Sequence, residues 1–179
     1  MCGFFKGDRQ KRKGGKMSCM IPARKLSIAW GDDKRYWMWT TMPDSRFPEV
    51  AKLLEVWWFD IYGMINTIQL SPNTQYAAYF VFQMINASGF RDLPVELSVG
   101  VKGGRNSTKI VCLDSNMEGW QYHTVGLQRP NVRSDGWLEI EMGEFFNSGL
   151  EVEEVQMNVK ELRKLKKGIF IEGIEVRPK

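Results

Sequence analysis

Seven tryptophans occur in this 179-residue chain, and Trp30, Trp37 and Trp39 fall within ten positions, on either side of the polar stretch Gly31-Asp32-Asp33-Lys34-Arg35. A flat indole next to hydrogen-bonding groups is what a sugar or a nucleobase requires of a protein. The ring covers the apolar face of the ligand, and carboxylates or amides take its polar edge. The same cluster could be core, so the elements that carry it must decide.

Those elements read as β-strands. Leu26, Ile28 and Trp30 share one face of a strand over Lys25–Trp30, which leans Trp30 towards burial. Trp37 follows the polar stretch and is the foremost stacking platform, with core as the alternative. Trp39 shares its face, so the two line a groove together or are core together. Trp57 and Trp58 are adjacent and point to opposite faces, so at least one is expected in the core. Further strands are expected over Glu55–Tyr62, Tyr76–Phe82, Val95–Val99, Ile110–Leu113, Trp120–Val125, Gly136–Met142 and Gly168–Val176. Tyr76–Phe82 is nearly continuous in apolar residues and predicts a central strand buried on both faces. One short helix is expected around Phe47–Leu54. Turn signals separate the strands, at Ser71-Pro72-Asn73, Gly103-Gly104, Asp135-Gly136 and Asn147-Ser148-Gly149. Many short strands without a βαβ rhythm predict an all-β, antiparallel β-sandwich.

Trp137 follows the Asp135-Gly136 turn and shares a face with Glu139 and Glu141, a setting that makes it a second stacking candidate. Asp135 and Glu144 are candidate acceptors for ligand hydroxyls. Asn73 reads as a turn former.

Catalysis finds little support. His123 is the one histidine and reads as a surface group. One His and three scattered cysteines assemble no metal site, so no metal and no cofactor are expected. Gly103-Gly104 lacks the Lys and Ser/Thr of a phosphate loop. The pairs Glu139/Glu141 and Glu151/Glu153 read as solvated strand faces. The chain is expected to be a binding module, not an enzyme.

Composition is that of a globular domain, with 43% hydrophobic and 26% charged residues. No apolar run approaches the ~20 residues of a membrane span, and the N-terminus has no signal-peptide core. Reduced Cys2, Cys19 and Cys112 in a cytoplasmic or nuclear protein follow from that reading. Residues 1–18 carry six basic residues against Asp8 and are expected to be a disordered basic tail. The remaining 19–179 then holds 19 basic and 20 acidic residues. A nearly neutral body favours a hydroxyl-rich ligand over nucleic acid.

Four blocks, in order, resemble the plant phloem protein 2 family, also called Nictaba-like lectins. The first is Arg24-Lys-Leu-Ser-Ile-Ala-Trp30-Gly31 with Tyr36-Trp37, and the second is Leu70-Ser-Pro-Asn-Thr-Gln-Tyr76. The third is Asp135-Gly136-Trp137 through Asn147, and the fourth is Ile169 through Pro178. The resemblance implies a jelly-roll-like sandwich that binds N-acetylglucosamine oligomers (chitin-type) or N-glycan cores of glycoproteins without catalysis. It places the family's two binding tryptophans, seven apart, on Trp30 and Trp37. It also implies a homodimer, a cytoplasmic, nuclear or phloem-sap location and a role in defence. The alternative it offers is a phloem structural or ribonucleoprotein component that binds RNA, phloem filaments or protein through the basic tail. Some relatives carry an N-terminal F-box, for which the first 20 residues are too short, so only the lectin domain is read here.

Overall fold

The computed structural model describes residues 10–119 and 121–179, with side chains from Gly14 onward. Among them the chain forms thirteen strands: β1 (Gln10–Lys13), β2 (Lys16–Pro22), β3 (Ser27–Ile28), β4 (Trp37–Thr40), β5 (Val50–Leu53), β6 (Phe59–Asn66), β7 (Thr74–Ser88), β8 (Pro94–Val101), β9 (Asn106–Cys112), β10 (Asn131–Val132), β11 (Leu138–Asn147), β12 (Glu154–Glu161) and β13 (Lys167–Pro178). The larger sheet runs β1-β2-β13-β7-β11-β10, with β5 also on β13 and β4 on β5. The smaller runs β3-β6-β12-β8-β9. All strand pairings are antiparallel. The chain crosses repeatedly between the two sheets, as the winding of a jelly-roll-like sandwich requires.

Period-two alternation fills the space between the sheets. From the smaller sheet come Phe59, Ile61 and Ile65 of β6, Val155, Met157 and Val159 of β12, and Val95, Leu97 and Val99 of β8. They meet Phe80 and Phe82 of β7, Ile140 and Met142 of β11, and Ile169, Ile171 and Ile174 of β13. β7 is the central strand expected, and Val81 on its other face joins a second cluster with Met20, Phe47, Val50, Trp137 and Phe170.

Several expectations are corrected. The helix expected around Phe47–Leu54 is strand β5, because β13 offers an open ladder at Phe170 and Ile171 that Lys52 and Ala51 fill. The first strand shortens to Ser27–Ile28, after a 3-10 turn over Ala23–Lys25. The strand expected over Trp120–Val125 begins at a residue outside the described ones, and Gln121–Val125 hold no strand. Arg129 organises this region instead, reaching the Asp114 carbonyl at 2.5 Å and Thr124 Oγ1 at 3.0 Å. β1 and the start of β2 fall within residues 1–18, the stretch expected to be a disordered tail, and the two strands pair as a hairpin. Met17 to Ile21 supply its apolar residues, and the neighbouring lysines and arginines hide them from a charge count. Residues 1–9, including Cys2, lie outside the described residues. Cys19 and Cys112 are buried.

An ion-pair network covers the outer face of the larger sheet. Arg133 reaches Glu175 at 2.6 Å and Glu139 at 2.9 Å, and Arg177 reaches Glu139 at 2.7 Å and Glu175 at 3.1 Å. Burial raises the pKa of both carboxyls, but the arginine hydrogen bonds and charges outweigh it and hold both below the ordinary range. A carboxylate whose pKa is lower folded than unfolded stabilises above the unfolded value and ceases to do so as pH falls through the folded one. The thermal midpoint is therefore expected to be insensitive to these groups near neutrality and to fall below about pH 4.3. A Glu139→Gln/Glu175→Gln double variant should lose much of that acid dependence. Melting followed by circular dichroism from pH 7 to pH 3 checks this, and a midpoint that stays level would remove the network as a source of stability.

Candidate functional site

The Trp30 loop connects β3 to β4 at one end of the sandwich. The β3–β6 ladder ends where Ala29 N–H donates to the Asp60 carbonyl at 2.9 Å. The backbone then turns left-handed at Trp30, with φ of 62°. A bulky residue at positive φ is a genuine outlier and costs on the order of 1–2 kcal/mol. The turn breaks the alternation that would have sent this side chain inward, and Trp30 is 57% exposed. Gly31 lies close to the preceding strand, where a Cβ would stand 2.9 Å from the Ile28 carbonyl.

Two other indoles hold the loop in that shape. Trp37 Nε1 donates to the Ala29 carbonyl at 3.1 Å, and Trp39 Nε1 donates to the Gly31 carbonyl at 3.2 Å. The carbonyls on both sides of Trp30 are thus anchored, and the residue between them is pushed outward. Trp37 is only 2% exposed and stacks on Phe59, with ring centroids 6.2 Å apart. Trp39 packs against the same core, and the Arg24 guanidinium lies 3.9 Å from its ring centroid.

The expected roles of two tryptophans are therefore exchanged. Trp30, expected to lean into the sheet, is the exposed ring. Trp37, the foremost stacking candidate, is core. β4 begins at Trp37 and pairs it with Leu53, which turns its ring towards Phe59. Trp39 is on the core side with it.

Around Trp30 stand Tyr36, with ring centroids 6.0 Å apart and tilted by 56°, and the Asp33–Arg35 pair. Asp33 accepts from Arg35 at three nitrogens, including Nη2 at 2.7 Å. These bonds hold the Asp33 carboxyl below its ordinary pKa. The loop so presents an ionised carboxylate and a fixed guanidinium beside the exposed Trp30 ring and the half-buried Tyr36 ring. Asp32 is exposed at the loop tip. The next turn lies alongside, since Leu54 N–H donates to the Tyr36 carbonyl at 2.8 Å. It carries Trp57 and Trp58, 59% and 50% exposed. At least one of these was expected in the core. Both are out because the strand begins only at Phe59, which takes the buried position.

The other three expected site residues are elsewhere. Trp137 is 1% exposed, in the outer cluster of the larger sheet, with Nε1 donating to the Asp44 carbonyl at 3.0 Å. The segment between β4 and β5 covers it, so the exposed setting read from the Asp-Gly turn is corrected. Asp135 caps that turn by accepting from Trp137 N–H at 3.1 Å. It belongs to the β10–β11 end of the sheet, and four strand spacings, roughly 19 Å, separate β11 from β4. Glu144 pairs with Lys179 and accepts from Gln75, bonds that draw its pKa down. It lies opposite Ala77, roughly 17 Å along β7 from the level of Phe82 and Leu138. Neither carboxylate belongs to the Trp30 site.

Trp39→Phe isolates one anchor. The ring packing is kept, the N–H is lost, and the Gly31 carbonyl is released. The expected cost is about 1 kcal/mol, with faster amide hydrogen exchange confined to residues 31–36. Exchange rates equal to wild type in that segment would remove Trp39 as an anchor.

Among the described residues no three His, Cys, Asp or Glu side chains gather as a metal site, and no helix is long and apolar enough to cross a membrane. The phloem protein 2 family model matches residues 16–178. From Arabidopsis thaliana, F-box protein PP2-B10 is 42% identical over 173 residues, covering 94% of this chain and 62% of that protein. Putative F-box protein PP2-B12 is 43% identical, covering 94% and 64%. F-box protein VBF is 39% identical, covering 92% and 67%. The chain spans roughly three-fifths of the length of the first two of these relatives.

Proposed function

The chain belongs to the phloem protein 2 family, and on that premise we propose that it is a non-catalytic, carbohydrate-binding lectin whose ligands are N-acetylglucosamine oligomers or the N-glycan cores of glycoproteins. One observation carries the reading: an exposed indole, Trp30, is held at an unfavourable backbone angle by two others, the buried Trp37 and the half-buried Trp39. Local strain of this kind persists only where the surroundings enforce it, and it gathers at binding sites. A tryptophan displayed to solvent at that cost has a flat face to offer. Pyranose rings have a CH face of matching size and hydroxyls at the rim for Asp33, Arg35 and Asp32. A fixed ion pair meets a neutral polyol better than an anion, since the Arg35 charge is already engaged.

Of the residues first proposed for the site, Trp30 contacts the sugar in this reading, while Trp37 and Trp39 position it. A glycan array probed with the intact chain is the test. Chitin-type oligomers or N-glycan cores are expected among the bound glycans, with competition by the free N-acetylglucosamine trimer. An array without a single bound glycan would overturn the assignment. We place the protein in the cytoplasm, nucleus or phloem sap on the same premise. The RNA alternative rests on the basic residues of the N-terminal stretch. Its test is neutralisation of Lys6, Arg9 and Lys11 to Lys13, which spares β2 and should abolish a salt-dependent RNA affinity.

A further inference from the structure

A cavity of about 210 Å³, partly open to solvent, lies between β2 of the larger sheet and β6 of the smaller. Cys19 and Ile21 of β2 and Gly63 and Ile65 of β6 form its walls, and the side chains of Lys25 and Gln69 complete its lining. The walls are core positions, since Cys19, Ile21 and Ile65 belong to the main hydrophobic cluster. Folded interiors rarely leave a void of this size unfilled. A side chain at position 63 could not fill it, because its Cβ would stand 2.9 Å from Leu26 Cδ2 and 3.1 Å from Ile174 Cδ1.

The cavity exists because both sheets stop early on this side. β3 pairs with β6 only where Ser27 meets Tyr62 and Ile28 meets Ile61, so the ladder ends before Gly63. From there to Asn66, β6 has no described strand along that edge. On the larger sheet the outermost strand is β1, and its pairing with β2 begins at Gln10, opposite Cys19. Beyond that point Met20, Ile21 and Pro22 pair with β13 on one edge and have no described partner on the other. Cys19 is thus both the register partner of Gln10 and part of the cavity wall. Residues 1–9 join the described chain at the mouth of the cavity.

We propose that this N-terminal segment closes the gap, with one ring of the Phe4-Phe5 pair seated in the cavity. Three features select this occupant. The first is reach. Phe5 is five residues before Gln10, and five extended residues span up to about 17 Å, against roughly 5 Å between paired strands. The second is size. A cavity of roughly 150 Å³ takes one benzene ring, so this one holds a single phenyl group. Adjacent residues of an extended chain point to opposite sides, so one of the two rings turns inward whichever register the segment takes. The third is composition: the pair is followed by Lys6-Gly7-Asp8-Arg9, which suits a solvated mouth. Tethering adds to these, because a linked group has an effective concentration on the order of millimolar, which a dilute partner does not match. The gap lies at the foot of β3, so the seated ring braces the two-residue strand that leads into the Trp30 turn.

The test reads the Cys19 thiol. Wild type, Phe4→Ala, Phe5→Ala and the double variant, each as the full chain carrying Cys2→Ser, are treated with iodoacetamide, and peptide mass spectrometry follows the modification of Cys19. Cys112, buried on β9 and outside the cavity lining, is the internal reference. Unfolding exposes both thiols, whereas emptying the cavity exposes Cys19 alone. The ratio of Cys19 to Cys112 modification is expected to rise about tenfold in the double variant, and one of the single variants should account for most of the rise. An unchanged ratio in the double variant overturns the proposal. So does a wild-type ratio that falls as the protein concentration is raised, since the ring then sits in a second copy of the chain.

Discussion

Replacing Trp30 with alanine is expected to weaken binding of the N-acetylglucosamine trimer about 10- to 100-fold, corresponding to about 1.4–2.8 kcal/mol, while the protein melts within about 2 °C of wild type. The dissociation of the two effects is the point. Trp30 has little packing to lose, because it is exposed and its ring meets Tyr36 at the surface. Trp30→Gly sharpens the test. Glycine adopts positive φ without a Cβ penalty, so this variant should be at least as stable as Trp30→Ala, and up to about 1 kcal/mol more so. It should bind no better. Urea denaturation and calorimetry together decide the matter. If Trp30→Ala binds the trimer normally, Trp30 is not the platform. If Trp30→Gly is the less stable of the two, the left-handed turn is not strained.

The second large effect has the opposite character. Trp37→Ala should cost about 3–5 kcal/mol of stability, out of a total near 5–15 kcal/mol for a domain. It empties a position stacked on Phe59, which itself meets Phe90 edge-on at 5.8 Å. Sugar affinity falls as well, but because the Ala29 carbonyl is released. Trp37→Phe separates the contributions: the ring stays, the hydrogen bond goes, and the expected cost is about 1 kcal/mol with a partial loss of affinity. A Trp37→Ala protein of wild-type stability that no longer bound sugar would place this ring against the ligand and not beneath the loop.

Much of the architecture was legible because alternation is a property of residues. Val95, Leu97 and Val99 could face only one way, and the apolar run of Tyr76–Phe82 could lie only in the middle of a sheet. What misled was context. β12 was not among the expected strands although Val155-Gln-Met157-Asn-Val159 alternates cleanly, because glutamates precede it and basic residues follow it. β2 was hidden in the same way by the lysines and arginines around it. β5 is a strand only because β13 has a ladder to share, which no local propensity reveals.

The site was half legible. Residue types and spacing pointed to the segment from Trp30 to Trp39 as a candidate, and the structure exposes Trp30 in it. They could not assign the roles within it, because one left-handed residue reverses the alternation. Nor could they show that Asp135, Trp137 and Glu144 belong to other parts of the larger sheet. Distance between strands is set by the order of pairing, and the linear sequence does not state that order. The exposure of Trp57 and Trp58 had one signal, two adjacent indoles before a clean Phe-Asp-Ile-Tyr alternation, but the signal does not say where the strand begins.

The division of labour between Trp30 and its two anchors has a consequence for how such a domain diversifies. The groups that fix the loop donate to main-chain carbonyls, which every residue possesses, so they are indifferent to the identity of the side chain at position 30. That position can be exchanged without renegotiating the interior. Asparagine or glycine would sit there comfortably, and a histidine or tyrosine would alter what is recognised at little cost to folding. The loop is a socket with an interchangeable fitting, and a lineage of such chains can drift in what it recognises, or lose recognition altogether, while its hydrophobic interior remains under unchanged selection.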